Sequence, residues 1–83
     1  MPSGTKPPPG ALSRAVATII NAALKDRDKP QGWLGARAGM SQRQVSRYLS
    51  GTRALTIDQL DDMCIALGLD FVTVIQAADR ARR

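Results

Sequence analysis

The chain of 83 residues is long enough for one small domain and too short for a second, ligand-binding one. Hydrophobic residues make up 43% of it with only one Trp, one Tyr and one Phe, which predicts an aliphatic core as in small helical bundles. The lack of histidine excludes His-based catalysis and His metal ligation, and a single cysteine cannot form an intramolecular disulfide. We therefore expect no metal, no other cofactor and no small-molecule ligand.

The formal net charge of +5 is concentrated in one window of the sequence. Positions 29–53 hold five basic residues and no acidic one, whereas seven basic and seven acidic residues cancel elsewhere. The five are Lys29, Arg37, Arg43, Arg47 and Arg53. Such a cluster is what a phosphate-binding surface requires. No stretch has the length of a membrane span and no signal-peptide pattern opens the chain, so we expect a cytoplasmic protein without a membrane partner.

Residues 1–10, MPSGTKPPPG, are rich in Pro, Gly and Ser and are predicted to form a flexible N-terminal arm. The simplest interpretation is a tail without a function of its own. The alternative is that Lys6 reaches a minor groove of DNA, as the arms of some DNA-binding domains do, although the arm has only this one basic residue. Residues 11–83 form the predicted domain. From position 11 to about 25, apolar residues recur every three or four positions, which is typical of an amphipathic helix with a wide buried stripe.

Two short helices joined by a glycine turn are predicted between residues 30 and 50. Pro30 suits the first turn of the first helix, and Gly39 suits the left-handed position just past its end, at about residue 38. Ser41 can cap the next helix, because Gln44 three residues later completes an S-x-x-Q capping box. A helix, a tight turn and a helix form the unit that places its second helix in the major groove of DNA.

The helix over residues 41–50 is predicted to expose a polar face without any acidic residue. When Val45 points at the core of a helical wheel, Tyr48 and Leu49 lie on the buried side. Arg, Gln and Ser side chains suit hydrogen bonding to base edges, although a solvated face is the plain alternative. The candidates for base contacts are Gln42, Arg43, Gln44, Ser46 and Arg47, and capping competes for Gln44. The candidates for phosphate contacts on the helix-turn-helix include Ser41, Ser50 and Arg37, the last of which could equally be solvated.

Two further helices are predicted after this unit. The capping box at residues 56–59 opens a helix that ends at about residue 67, before Gly68. Its predicted buried stripe is Ile57, Leu60, Met63, Cys64 and Leu67. Its aspartates lie on the outer face, which DNA would repel, so this helix should point away from the duplex.

Asp70 can cap the fifth helix, which runs from about residue 71 to 80. Phe71, Val74 and Ile75 are expected to complete the core. Val72 is either incidental or part of a small dimer surface.

The stretch QGWLGARAGMSQRQVSRYLSG, residues 31–51, resembles the helix-turn-helix of Cro and phage-repressor proteins, the XRE-like regulators. The family pattern is Q-x-x-L-A-x-x-x-G-[VM]-S-x-x-x-V-S-R-[WYI]-x-x-G-x-R, followed by a capped helix that ends A-x-L-G. The matching residues are Gln31, Leu34, Gly39, Met40, Ser41, Val45, Ser46, Arg47, Tyr48, Gly51, Arg53, Thr56, Ile57, Leu60, Ala66 and Gly68. Gly35 departs from the usual alanine, and Leu49 stands where the family often has glutamate, so a buried ion pair with the first helix is not expected.

The resemblance implies an all-α fold, a compact five-helix lambda-repressor-like DNA-binding domain with the helix-turn-helix at helices 2 and 3. It also implies phosphate contacts by Gln31 and by Arg53 in the loop after helix 3. The implied partner is a double-stranded DNA operator, bound by a homodimer or a monomer. The implied function is a transcriptional regulator, most like a phage Cro-like or immunity repressor, with activation still open.

The alternative function is the antitoxin of a toxin–antitoxin pair, which would bind its toxin as well as operator DNA. An enzyme is not expected. The chain has neither His nor Glu, and no nucleophile lies beside a plausible base.

Overall fold

The computed structural model describes residues 8–83, and within them it contains five α-helices and no strand. The helices are α1 (Ala11–Asp26), α2 (Gln31–Ala38), α3 (Gln42–Leu49), α4 (Ile57–Leu67) and α5 (Phe71–Ala81). The prediction of an all-α, five-helix domain is confirmed, and the predicted ends differ from the observed ones by at most one residue. Most of the predicted arm, including Lys6, lies outside the described residues.

The helix ends follow from local hydrogen bonding. At the start of α3, Ser41 Oγ accepts from the Gln44 backbone N–H at 3.1 Å, and Gln44 Oε1 accepts from the Ser41 N–H at 2.9 Å. Thr56 and Gln59 form the same reciprocal box at α4. Gly39 ends α2 with a φ of 72°, where a side chain would be strained. Both predicted capping boxes and the predicted turn are therefore confirmed.

The core lies where α1 packs against α3 and α5, and α2 packs against α3 and α4. Ile20, Leu34, Val45 and Met63 are fully buried there. These side chains come from the four different helices α1 to α4, so a single aliphatic core holds α3 against the rest of the domain.

Cys64 is buried in this core, as predicted. Burial raises the pKa of its thiol, and the nearby carboxylates of Asp61 and Asp70 raise it further. The thiol therefore stays protonated at neutral pH and acts as a small apolar side chain.

The prediction that Ile57 is buried is wrong, because its side chain is 75% exposed. Ile57 is the first residue of α4, and helical spacing alone cannot show whether another element covers that turn. It lines an open cavity of about 130 Å³ together with residues of α1 and α5, such as Leu12 and Phe71. In α5, Val74 is buried and Phe71 and Ile75 pack against the core as predicted, while Val72 is exposed.

Gly35 lies where α2 and the turn to α3 approach most closely. A Cβ atom at this position would lie 2.6 Å from the backbone carbonyl oxygen of Met40, far inside contact distance. The Met40 N–H also donates to the Gly35 carbonyl at 2.8 Å, so the two segments are held together. Glycine replaces the usual alanine at position 35 because the close approach leaves no room for a Cβ atom.

Replacing Gly35 with alanine is expected to lower the free energy of unfolding by about 1 kcal/mol. Alanine would gain about 0.5–1 kcal/mol over glycine in a helix, but overlap with a fixed backbone atom costs about 1–3 kcal/mol. Urea denaturation of both proteins measures the difference. Gly32→Ala is the matched control, because a Cβ there would lie 3.5 Å from Gln42 Oε1 in ordinary contact. Equal stability of the two variants would contradict the tight approach.

Candidate nucleic-acid interface

The exposed face of α3 consists of polar and basic side chains. Val45, Tyr48 and Leu49 are buried, and the other residues of the helix are exposed. The exposed residues are Gln42, Arg43, Gln44, Ser46 and Arg47. The buried side is therefore the one that the helical wheel predicts, and all five candidates for base contacts are exposed.

Two side chains from other helices fix the position of α3. Asn21 Nδ2 of α1 donates to the backbone carbonyl of Leu49 at 2.9 Å, at the end of α3. Gln59 Nε2 of α4 donates to Tyr48 Oη at 2.8 Å, while Gln59 Oε1 still accepts from the Thr56 N–H. These contacts restrict both the tilt of α3 and its rotation about its axis.

The two glutamines at the start of α3, Gln42 and Gln44, differ in the hydrogen-bonding groups that are free to contact a base. Gln44 Oε1 already accepts one hydrogen bond in the capping box, and its amide group is left to donate. A bidentate contact to adenine needs both the oxygen and the nitrogen, so Gln44 would have to use the second lone pair of Oε1 or break its cap. The Gln42 amide lies beside Gly32 of α2, next to the half-buried Gln31. The first turns of α2 and α3 therefore lie side by side.

The loop after α3 folds back onto one backbone carbonyl, that of Arg47. This oxygen accepts from the N–H groups of Thr52 at 3.1 Å and Arg53 at 3.2 Å, and from Thr52 Oγ1 at 2.9 Å. Ser50 Oγ also donates to it at 3.1 Å and lies 3.1 Å from Thr52 Oγ1. Because phosphate oxygens only accept, Ser50 would have to release Arg47 to donate to DNA. The Arg53 side chain is exposed.

Arg37 lies apart from these residues. Its guanidinium carbon is 4.8 Å from the centroid of the Trp33 ring, and Lys29 Nζ is 5.5 Å from the same ring, both within cation–π range. Two residues span about 200° of a helix, so Trp33 and Arg37 point away from the side of α2 on which Gly35 meets α3. Trp33 packs against the edge of the core. A phosphate contact by Arg37 stays a prediction, and this position favours packing on Trp33.

The arginines of α3 and its loop have no carboxylate partner in the described part of the chain. The ion pairs found among residues 8–83 join Asp79 to Arg82 and to Arg83, at 2.9 and 2.8 Å. Their hydrogen bonds lower the pKa of the Asp79 carboxyl group. The aspartates on the outer face of α4 are exposed, as expected. The positive charge around α3 is therefore available to an anionic partner such as a phosphate backbone.

The fold and the exposed basic face of α3 define a helix-turn-helix protein. A family model described as helix-turn-helix matches residues 20–74, which include α2, α3 and α4. The chain belongs to the Cro and phage-repressor type of this family, the XRE-like DNA-binding transcriptional regulators. Neither the curated proteins nor the solved structures contain a match. No helix within residues 8–83 combines the length and the apolar character that a membrane span needs.

Proposed function

We propose that this protein is a cytoplasmic, sequence-specific repressor of the phage Cro-like or immunity type, which inserts α3 into the major groove of double-stranded operator DNA. The observation that carries the proposal is the exposed face of α3, where arginine, glutamine and serine side chains lie together without a carboxylate. These groups match the donors and acceptors on base edges. Arg43 and Arg47 are the strongest candidates, since a bidentate arginine–guanine pair is the commonest specific contact.

The phosphate contacts are assigned to the residues around this face. Gln31 lies at the start of α2 and Ser41 at the start of α3, where backbone N–H groups favour anions. Ser50 and Arg53 follow the other end of α3, and of these two Arg53 can bind a phosphate without releasing the Arg47 carbonyl. Phosphate contacts set the position and orientation of the protein without reading sequence.

A second candidate function is that of an antitoxin, which would bind a toxin as well as DNA. The observation that favours it is the exposure of large apolar side chains on α4 and α5, with Ile57 at 75%, Ile65 at 70% and Val72 at 58%. Exposed apolar side chains would serve a homodimer on a two-fold operator equally well. A protein that copurifies at fixed stoichiometry would favour the antitoxin.

The experiment that tests the proposed function is selection of binding sites from random duplexes by the purified protein at two salt concentrations. A palindromic consensus supports a repressor that binds as two copies, and a single half-site supports a monomer. If binding gives no consensus and disappears as salt rises, sequence-specific repression is excluded.

Arg53→Ala is expected to weaken binding to every duplex sequence by a similar factor. Loss of one phosphate contact should reduce the slope of log K against log salt by about 0.9, whereas base preference should stay the same. Fluorescence anisotropy titrations over a range of salt concentrations measure both quantities. Lys25→Ala removes an equal charge from α1, where no phosphate contact is predicted, and is expected to leave the slope nearly unchanged. If Lys25→Ala changes the slope as much as Arg53→Ala, Arg53 contributes only general charge and no phosphate contact of its own.

A further inference from the structure

The backbone carbonyl oxygen of Arg47 accepts several hydrogen bonds from the loop after α3. Thr52 supplies two of them, and the family resemblance assigns no role to this residue. Thr52 donates twice to the Arg47 carbonyl, through its backbone N–H at 3.1 Å and through Oγ1 at 2.9 Å. Arg53 donates to the same oxygen through its backbone N–H at 3.2 Å. The backbone of Arg53 is therefore fixed relative to the residue that also carries one of the candidate base contacts.

We propose that Thr52 is a positioning residue, whose hydroxyl group holds the loop against the end of α3 so that Arg53 reaches a DNA phosphate. This inference rests on the proposed function and extends it. Thr52 itself touches no DNA in this proposal. It acts by setting the distance between the base-reading arginines of α3 and the phosphate-binding arginine of the loop.

The Thr52 hydroxyl group is one of two side-chain donors that reach the Arg47 carbonyl, and it is carried by the residue directly before Arg53. Its Oγ1 lies 2.9 Å from that oxygen, within the normal range for an O–H···O bond, and the two backbone bonds at 3.1 and 3.2 Å lie at the long end of the N–H···O range. Ser50 Oγ, 3.1 Å from both that oxygen and Thr52 Oγ1, completes the cluster. Without the Thr52 hydroxyl group, only the backbone N–H groups of Thr52 and Arg53 would hold these two residues to the Arg47 carbonyl.

A long arginine side chain loses considerable conformational entropy when it binds. A loop that is already ordered spares the additional loss of backbone freedom. Loss of the Thr52 hydroxyl group should therefore remove the contribution of Arg53 to binding, although Arg53 itself is still present.

The test compares Thr52→Val, Arg53→Ala and the double variant with the unmodified chain, each titrated into a fluorescein-labelled mixed-sequence duplex over a range of salt concentrations. Thr52→Val should reduce the slope of log K against log salt by about 0.9, as Arg53→Ala does. The double variant should lose no more than either single variant, which is the signature of coupled residues. Thr52→Ser, which keeps the hydroxyl group, should restore the slope.

Thr18→Val is the matched control, because Thr18 Oγ1 also donates to a backbone carbonyl, that of Arg14 at 3.1 Å, on the exposed side of α1. It should leave the slope unchanged. Thermal unfolding of each variant ensures that the titrations are made on folded protein.

If Thr52→Val behaves like Thr18→Val, or if its effect multiplies with that of Arg53→Ala, Thr52 does not position Arg53. That outcome leaves the proposed function intact when the unmodified chain binds DNA. If the unmodified chain does not bind duplex at all, both the proposed function and this inference are overturned.

Discussion

Truncation of Leu34 to alanine is expected to lower the free energy of unfolding by about 2–5 kcal/mol. Leu34 is fully buried in α2, the helix that packs against both α3 and α4. Removal of its side chain would leave a cavity where α2 packs against α3 and α4. The loss is a large share of the roughly 5–15 kcal/mol that stabilises a typical domain.

Thermal and urea unfolding followed by circular dichroism measure this effect. For a domain of this size, each kcal/mol shifts Tm by about 4–8 °C. Ile57→Ala is the control, since Ile57 is 75% exposed at the start of α4. It should change stability by no more than about 0.5 kcal/mol. A large loss in Ile57→Ala would mean that another surface, such as a second copy of the chain, covers this residue in solution.

Local signals made much of this fold predictable from the sequence. The capping boxes of α3 and α4 each join residues three positions apart, and the left-handed Gly39 is set by its own backbone. The buried side of α3 follows from helical spacing around Val45. Such features need no knowledge of the rest of the chain.

Features that depend on tertiary packing could not be predicted in the same way. Asn21 and Leu49 are separated by 28 residues, and the second hydrogen bond of Gln59 reaches Tyr48 across a helix interface. The exposure of Ile57 depends on which element covers the start of α4. No sequence spacing specifies these relations, so Asn21 and the second role of Gln59 were missed at the candidate site.

The neighbours of the Arg37 side chain also depend on tertiary packing and could not be predicted from the sequence. Its position among the basic residues of positions 29–53 suggests a phosphate contact. Two residues in that stretch can nevertheless lie on opposite sides of a helix and face different neighbours. The stacking of Arg37 on Trp33 is visible only once the direction of each side chain is known. Helical spacing thus predicted the exposed basic face of α3, whereas the phosphate contact of Arg37 stays a prediction.

Arg43→Ala is expected to reduce affinity for the selected operator by about 1–3 kcal/mol, roughly 5- to 150-fold, and to relax the preference at one base pair. Arg43 is exposed on α3 and has no ion-pair partner among the described residues. If its guanidinium group binds guanine, the variant loses two directed hydrogen bonds at one position. Titrations against the operator and against duplexes substituted at each base pair would locate that position.

Comparison with Arg53→Ala separates base reading from phosphate binding. Both variants lose one positive charge, so the general electrostatic attraction to DNA falls equally. Arg43→Ala should compress the ratio of specific to non-specific affinity, and Arg53→Ala should leave that ratio unchanged. If both variants weaken all sequences by the same factor, Arg43 contacts the backbone. The specificity would then depend on Gln42, Ser46 and Arg47, or on the shape of the DNA.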